Sequence, residues 1–453
     1  VTEAHFFFDQ ALTPAGWASQ VRMSVRDGLI VTLEPGSRPA PGDRTAAIGL
    51  PGLGNLHSHA FQRAMAGLTE ISGSGADSFW TWREVMYRFL GRLDPEAVQA
   101  IAAMAQVEML ESGFTRVGEF HYLHHDVDGA PYEDPAEMGR RLAAAAQESG
   151  IGLTLLPVFY AHSGFGGAAP SSDQKRFLHT IDGYARLLEA SRAALEDLPD
   201  GVLGIAPHSL RAVTPQELAA ITPLADGGPI HIHVAEQLKE VEDSLAVLGR
   251  RPVRWLLDHA QIDERWCFVH ATHLDDDEVQ ALARSGATAG LCPVTEANLG
   301  DGVFPADLFL AAGGVFGVGS DSNVSIDVAE ELRLLEYGQR LTRHGRAVLA
   351  GGPKRSTGAN LYKVALCGGA RALDGAEGLV PGASADFLTL DPEHPSLVGR
   401  RGDALLDSWI FGGARAAIDG VWRRGRQVVA GGRHLGRATI AASYAATLRR
   451  LLD

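Results

Sequence analysis

Two histidines one residue apart, His57 and His59, close a short apolar run in the stretch PGLGNLHSHAFQR from Pro51 to Arg63. On a strand, residues two apart project to the same face, so both imidazoles can reach one metal ion. The same pair also occurs on ordinary strands whose rings only hydrogen-bond locally. Its meaning therefore depends on partners elsewhere in the chain.

A hydrolytic metal site needs three or four nitrogen or oxygen ligands, an open position for water, and an acid or base beside that water. His233 in PIHIHVAE and Asp321 in VFGVGSDSN complete such a set with the first pair, each at the end of an apolar run. Glu236 follows His233 closely enough to shuttle a proton to or from the water. Asp321 is expected both to bind the metal and to activate the water. His270 in CFVHATH is placed to stabilise charge developing on the atom under attack. The other histidines read as structural: His231 as a core residue one layer below His233, and His273 as a loop residue. His121, His124 and His125 in GEFHYLHH have no matching carboxylate and read as surface or supporting groups.

These residues need a scaffold that brings distant strand ends together. Eight apolar runs with β character alternate with helical segments: the run ending at His57, FTRVGEF, GLTLLPVFY, GVLGIAPHS, PIHIHVAE, CFVHATH, ATAGLCPV and VFGVGSDSN. Helix starts are marked by Asp94 with Pro95, and by Thr214, Pro215 and Glu217 as a capping box. Such alternation fits a (β/α)8 barrel or an open doubly wound sheet. Polar groups terminate many of the eight runs, which favours the barrel, because an open sheet gathers its chemistry at one switch point. The first 48 residues and the region after Leu361 read instead as short β segments joined by Gly-rich turns. The expected organisation is a barrel over residues 49–369 and a small discontinuous β-sandwich formed by residues 1–48 and 370–453.

Composition narrows the partners. The 453-residue chain is 45% hydrophobic and 21% charged, typical of a globular protein, and contains no apolar run long enough to span a bilayer. With no secretory leader evident, the expected location is the cytoplasm. A net charge of -15 without a basic cluster disfavours nucleic acid and anionic membranes, while leaving a small anionic substrate open if arginines gather locally. Three widely spaced cysteines, Cys267, Cys292 and Cys367, form neither a disulfide framework nor a thiolate zinc motif.

The order His-x-His, His-x-x-Glu, His and strand-end Asp resembles the amidohydrolase superfamily over nearly the whole chain, with GLVPGASADFLTLD similar to the family's re-entry into the small β unit. Many members bridge two metals with a carboxylated lysine. None of Lys175, Lys239, Lys354 and Lys363 ends a strand, so the resemblance implies the one-metal arrangement of the deaminase branch, with one zinc per subunit preferred over iron. The segments NLHSHAFQRAMAG, FWTWREVMYR, GEFHYLHH, APHSLRAV and HVAEQ resemble the members of that branch that hydrolyse a formimino group on a dicarboxylate. This implies a small anionic substrate and a homodimer. It also implies a substrate role for Gln62, Arg83, Tyr122, His208 and Arg211, with the two arginines as carboxylate clamps. Trp80 and Trp82 are expected to pack the adjoining loop. Two alternatives remain: a deaminase of an aromatic base or nucleoside, which would want apolar and amide contacts in place of the arginines, and a non-catalytic scaffold, which the complete ligand set disfavours.

Overall fold

Alternation of apolar and polar residues near the start yields four strands, β1 (Glu3–Thr13), β2 (Gly16–Arg26), β3 (Leu29–Glu34) and β4 (Arg44–Pro51). In this computed structural model, residues 3–71 and 79–453 are described, apart from the side chains of Phe79, Trp80, Thr81, Glu84 and Ala414. The barrel follows with β5 (Leu53–Ser58), β6 (Phe114–His121), β7 (Gly152–Phe159), β8 (Val202–Leu203) and β9 (Ala206–Pro207). It is completed by β10 (Ile230–Val234), β11 (Trp266–His270), β12 (Thr288–Leu291) and β13 (Val315–Val318). The chain returns to the terminal sheet through β14 (Phe387–Leu390), β15 (Ile418–Arg423), β16 (Arg426–Ala430) and β17 (Arg433–His434).

All barrel neighbours pair in parallel, and β8 with β9 together make the fourth stave. The strand breaks at Gly204, where a Cβ would sit 2.5 Å from the Pro229 carbonyl oxygen. Bridges Ile205–Ile230 and Ser209–His233 join the two halves, and Ser58–Asp321 closes the ring between the first and last staves. Helices cover the outside. Asp94 caps Pro95–Glu111 by accepting the Ala97 N–H at 2.7 Å, and Thr214 with Glu217 forms the capping box of Pro215–Ile221.

The terminal strands form one eight-stranded sheet in the order β17-β16-β15-β14-β4-β1-β2-β3. The sheet coils until β3 meets the segment before β14: Ile30 N–H donates to Ala383 O and Gly382 N–H to Ile30 O, both at 2.8 Å. The coil encloses its own apolar core, where Phe387 packs edge-on to Phe6 and stacks on Trp422. Three segments differ from the expected β character. The helix Thr357–Ala372 runs past Leu361, and the apolar stretch at Trp409 is helical through Asp403–Ser408 and Trp409–Gly413. The chain also ends in the helix Arg437–Leu452, packed on Pro95–Glu111. A short apolar run buried on several sides has no period that separates strand from helix, and Trp409 is such a residue, fully buried against Tyr362.

Candidate metal and substrate site

The closing seam of the barrel carries the chemistry. Asp321 N–H donates to His57 O, and His59 N–H donates to Asp321 O, each at 2.9 Å, so the first and last staves are locked together at these residues. The Asn323 amide reinforces the seam by donating to Ser58 Oγ and His59 O at 3.1 Å and to Asp321 O at 3.0 Å. His233 comes from β10 across the barrel, its Nε2 3.1 Å from His57 Nε2. Asp321 Oδ1 lies 3.5 Å from His57 Nε2 and 3.3 Å from His59 Nε2.

Ring orientation follows from the outer hydrogen bonds. His59 Nδ1–H donates to Phe120 O at 2.8 Å and His233 Nδ1–H to His208 O at 3.0 Å, which leaves each Nε2 lone pair aimed inward. Burial holds these rings neutral, pushing His57 down to about 3 and His233 well below its ordinary value. Burial opposes ionisation of Asp321 as well, but hydrogen bonding to His57 and the facing imidazoles outweigh it and keep the carboxylate charged. Three neutral nitrogens within 4.8 Å of one another and one anionic oxygen are the donor set of a divalent cation such as zinc.

His270 stands beside this cluster, with Nε2 3.7 Å from Asp321 Oδ2 and 3.9 Å from Glu236 Oε1. Its burial disfavours a charge, yet Glu236, Glu296 and Asp321 prevail and raise it to about 10. Burial raises Glu236, partly offset by His270 and Arg211. Cys292 lies near His270 and Asp321, and burial raises its thiol well above the ordinary value. The strand ends here adopt backbone angles that L residues rarely take: φ is +52° at Ala235, +66° at His270, +48° at Ala271, +44° at Asp321 and +56° at Asn323.

A cavity of about 580 Å³, its open mouth included, rises over these groups. Gln62, Arg83, Tyr122, His208 and Arg211 all line it, together with Trp82; the Trp80 side chain lies outside the described residues. Gln62 donates to Tyr122 Oη at 2.9 Å. Arg83 donates to Tyr87 Oη at 2.8 Å and to Tyr160 Oη at 3.2 Å. Arg211 lies 3.6 Å from Glu236 and 3.9 Å from Glu240. Tyr87, Tyr160, Phe177, Thr295 and Ser322 also line the cavity and were not expected there. Tyr160 follows β7 directly, so a polar residue at the end of the third run was the available signal.

His231 is buried below the site with Nε2 2.7 Å from Ala372 O. His273 is half-buried near Asp301 and does not line the cavity. The cluster after β6 is interior rather than surface: His121 Nε2 faces Leu123 O at 2.6 Å, His124 faces Val158 O at 3.0 Å, and His125 faces Leu178 O at 2.8 Å. Burial pushes His121 down to about 4, so it stays neutral in the fold and titrates near 6.5 when unfolded. For a depressed base the sign is fixed: its contribution is intact above pH 6.5 and is lost as pH falls toward 4. Unfolding free energy measured in urea from pH 7.5 to 4.5 should therefore fall less steeply in His121→Gln than in wild type, by up to about 1.4 kcal/mol per pH unit below 6.5. Equal slopes would contradict it.

Residues 48–428 match the Amidohydrolase family, and the chain belongs to that family. Residues 5–47 match the N-terminal domain of the formimidoylglutamate deiminase HutF. Over 450 residues the chain is 51% identical to formimidoylglutamate deiminase of Pseudomonas aeruginosa, covering 99% of both chains. The crystal structure of an amidohydrolase from Brucella melitensis is 53% identical and superposes with a TM-score of 0.96 over 99% of this chain and 100% of that one. A 5-methylthioadenosine/S-adenosylhomocysteine deaminase of Natronomonas pharaonis is 30% identical over 372 residues, covering 79% of this chain and 77% of its own. Among the described residues, no helix is long and apolar enough to cross a membrane.

Proposed function

We propose that the chain hydrolyses the formimino group of N-formimino-L-glutamate, giving N-formyl-L-glutamate and ammonia. The observation that carries this reading is one cavity in which a buried histidine–carboxylate cluster faces both Arg83 and Arg211. Full-length similarity to a formimidoylglutamate deiminase supports it.

In this reading His57, His59, His233 and Asp321 hold one zinc ion, in preference to iron, and no lysine is available at a strand end to bridge a second metal. When bound, the metal supplies a water acidified toward ~7 and polarises the carbon under attack. The chain's own groups do the rest. Arg83 and Arg211 hold the two substrate carboxylates, while Gln62, Tyr122 and His208 orient the amidine with neutral hydrogen bonds. Asp321 takes a proton from the attacking water at Oδ2. Glu236, beside His270 and Arg211, delivers a proton to the leaving nitrogen. His270 Nε2 donates to the developing negative charge. Asp321 then passes its proton to the same nitrogen, the adduct's hydroxyl gives its proton back to Glu236, and the carbon–nitrogen bond breaks to release ammonia and leave the formyl carbonyl.

A nucleobase or nucleoside deaminase is the competing reading, prompted by the Natronomonas relative. Ammonia release should be measured on formiminoglutamate beside guanine, cytosine and adenosine. Turnover of formiminoglutamate alone is expected; turnover of a base or nucleoside without it would sink the proposal.

A further inference from the structure

We propose that Glu296 is a positioning residue for the reaction: it accepts the Nδ1–H of His270 and thereby turns Nε2 toward the reacting atoms. This rests on the hydrolytic reading above and adds a residue that no motif marks.

His270 ends β11 at a φ of +66°, and Ala271 follows at +48°, so the ring leaves the strand from a backbone that does not fix its direction by ordinary strand geometry. Its direction is set from outside. Nδ1 faces Glu296 Oε1 at 3.3 Å, while Nε2 points to Asp321 and Glu236. A carboxylate accepting from one ring nitrogen fixes the direction in which the other points.

Glu296 is itself held. It is buried, and the same Oε1 accepts the Cys292 N–H at 2.8 Å, across the first turn of the helix Pro293–Leu299. Glu331 anchors that turn by accepting the Val294 N–H at 3.0 Å. The neighbouring Thr295 is hydrogen-bonded to Ser322 Oγ at 2.9 Å and donates to Ser320 O at 3.3 Å, on either side of Asp321. One short helix after the seventh stave thus braces both His270 and the turn that carries Asp321.

The test separates orientation from mere support of the helix. Steady-state constants on formiminoglutamate, zinc per chain and Tm are measured for wild type, Glu296→Ala, Glu296→Gln, His270→Ala and the double variant Glu296→Ala/His270→Ala. Expected for Glu296→Ala is a kcat about 100-fold lower with KM and zinc content little changed. Glu296→Gln keeps an oxygen acceptor and should recover kcat to within about 10-fold of wild type. The double variant should be no slower than His270→Ala alone, because the effect of Glu296 passes through that ring. An equal loss in both backgrounds, or a loss confined to KM or zinc content, would overturn the assignment. Should wild type release no ammonia from formiminoglutamate, the hydrolytic reading fails and the nitrogen-15 shifts of His270, identified by their absence in His270→Ala, decide this one. An Nδ1–H resonance present in wild type and shifted or lost in Glu296→Ala supports it; an unchanged resonance refutes it.

Discussion

Replacing Asp321 with asparagine is expected to lower kcat by about 10⁴-fold while leaving the fold in place. The backbone of residue 321 makes the seam, through its N–H to His57 O and its carbonyl from His59 N–H, and neither bond involves the side chain. Asparagine tolerates the φ of +44°, so the barrel closes as before. What disappears is the negative charge facing His57, His59 and His270 at 3.5, 3.3 and 3.7 Å. In the proposed mechanism that charge serves twice, as a ligand and as the proton acceptor, and the two losses can be told apart. Saturating zinc should restore metal content in Asp321→Asn but not kcat. Asp321→Ala adds backbone strain and should lower Tm as well. Activity of Asp321→Asn within 10-fold of wild type in excess zinc would remove the proton-transfer role.

The clustering of His57, His59, His233 and Asp321 is legible because each sits at or just past the end of an apolar run, and parallel staves bring such ends to one face of the barrel. The staves themselves were legible from alternation with capped helices such as those begun by Asp94 and Thr214. Hidden were features that depend on distant chain segments coming together. Glu296 becomes relevant only because its helix folds back over β11, 26 residues earlier in sequence. The left-handed conformations at Ala235 and His270 leave no compositional trace, since neither residue is glycine or asparagine. The C-terminal helix and the run at Trp409 were misread for a related reason: their apolar residues satisfy a core contact whose direction comes from the neighbour and not from local period. The histidines after His121 were misread because their partners are backbone carbonyls, which no side-chain pattern announces.

The arginines of the cavity should separate binding from stability. Arg211 is buried between two carboxylates, Glu236 and Glu240, both of which burial raises and Arg211 lowers. Arg211→Met removes a counter-charge from two largely buried carboxyl groups, and this is expected to cost about 3 kcal/mol of stability in urea unfolding. The same change removes one of the two proposed carboxylate clamps, and kcat/KM on formiminoglutamate should fall about 10³-fold. Arg83 differs, because the phenolic hydroxyls of Tyr87 and Tyr160 that it bonds are neutral and lose little when the charge is gone. Arg83→Met should therefore produce a comparable loss of kcat/KM, mostly through KM, with less than about 1 kcal/mol of destabilisation. A deaminase of uncharged bases would be spared by Arg83→Met, since no carboxylate on the ligand needs that arginine. If kcat/KM survives Arg83→Met within 10-fold, the dianionic substrate class is wrong even where the metal cluster is right, because the clamp and the cluster are tested by separate residues of one cavity.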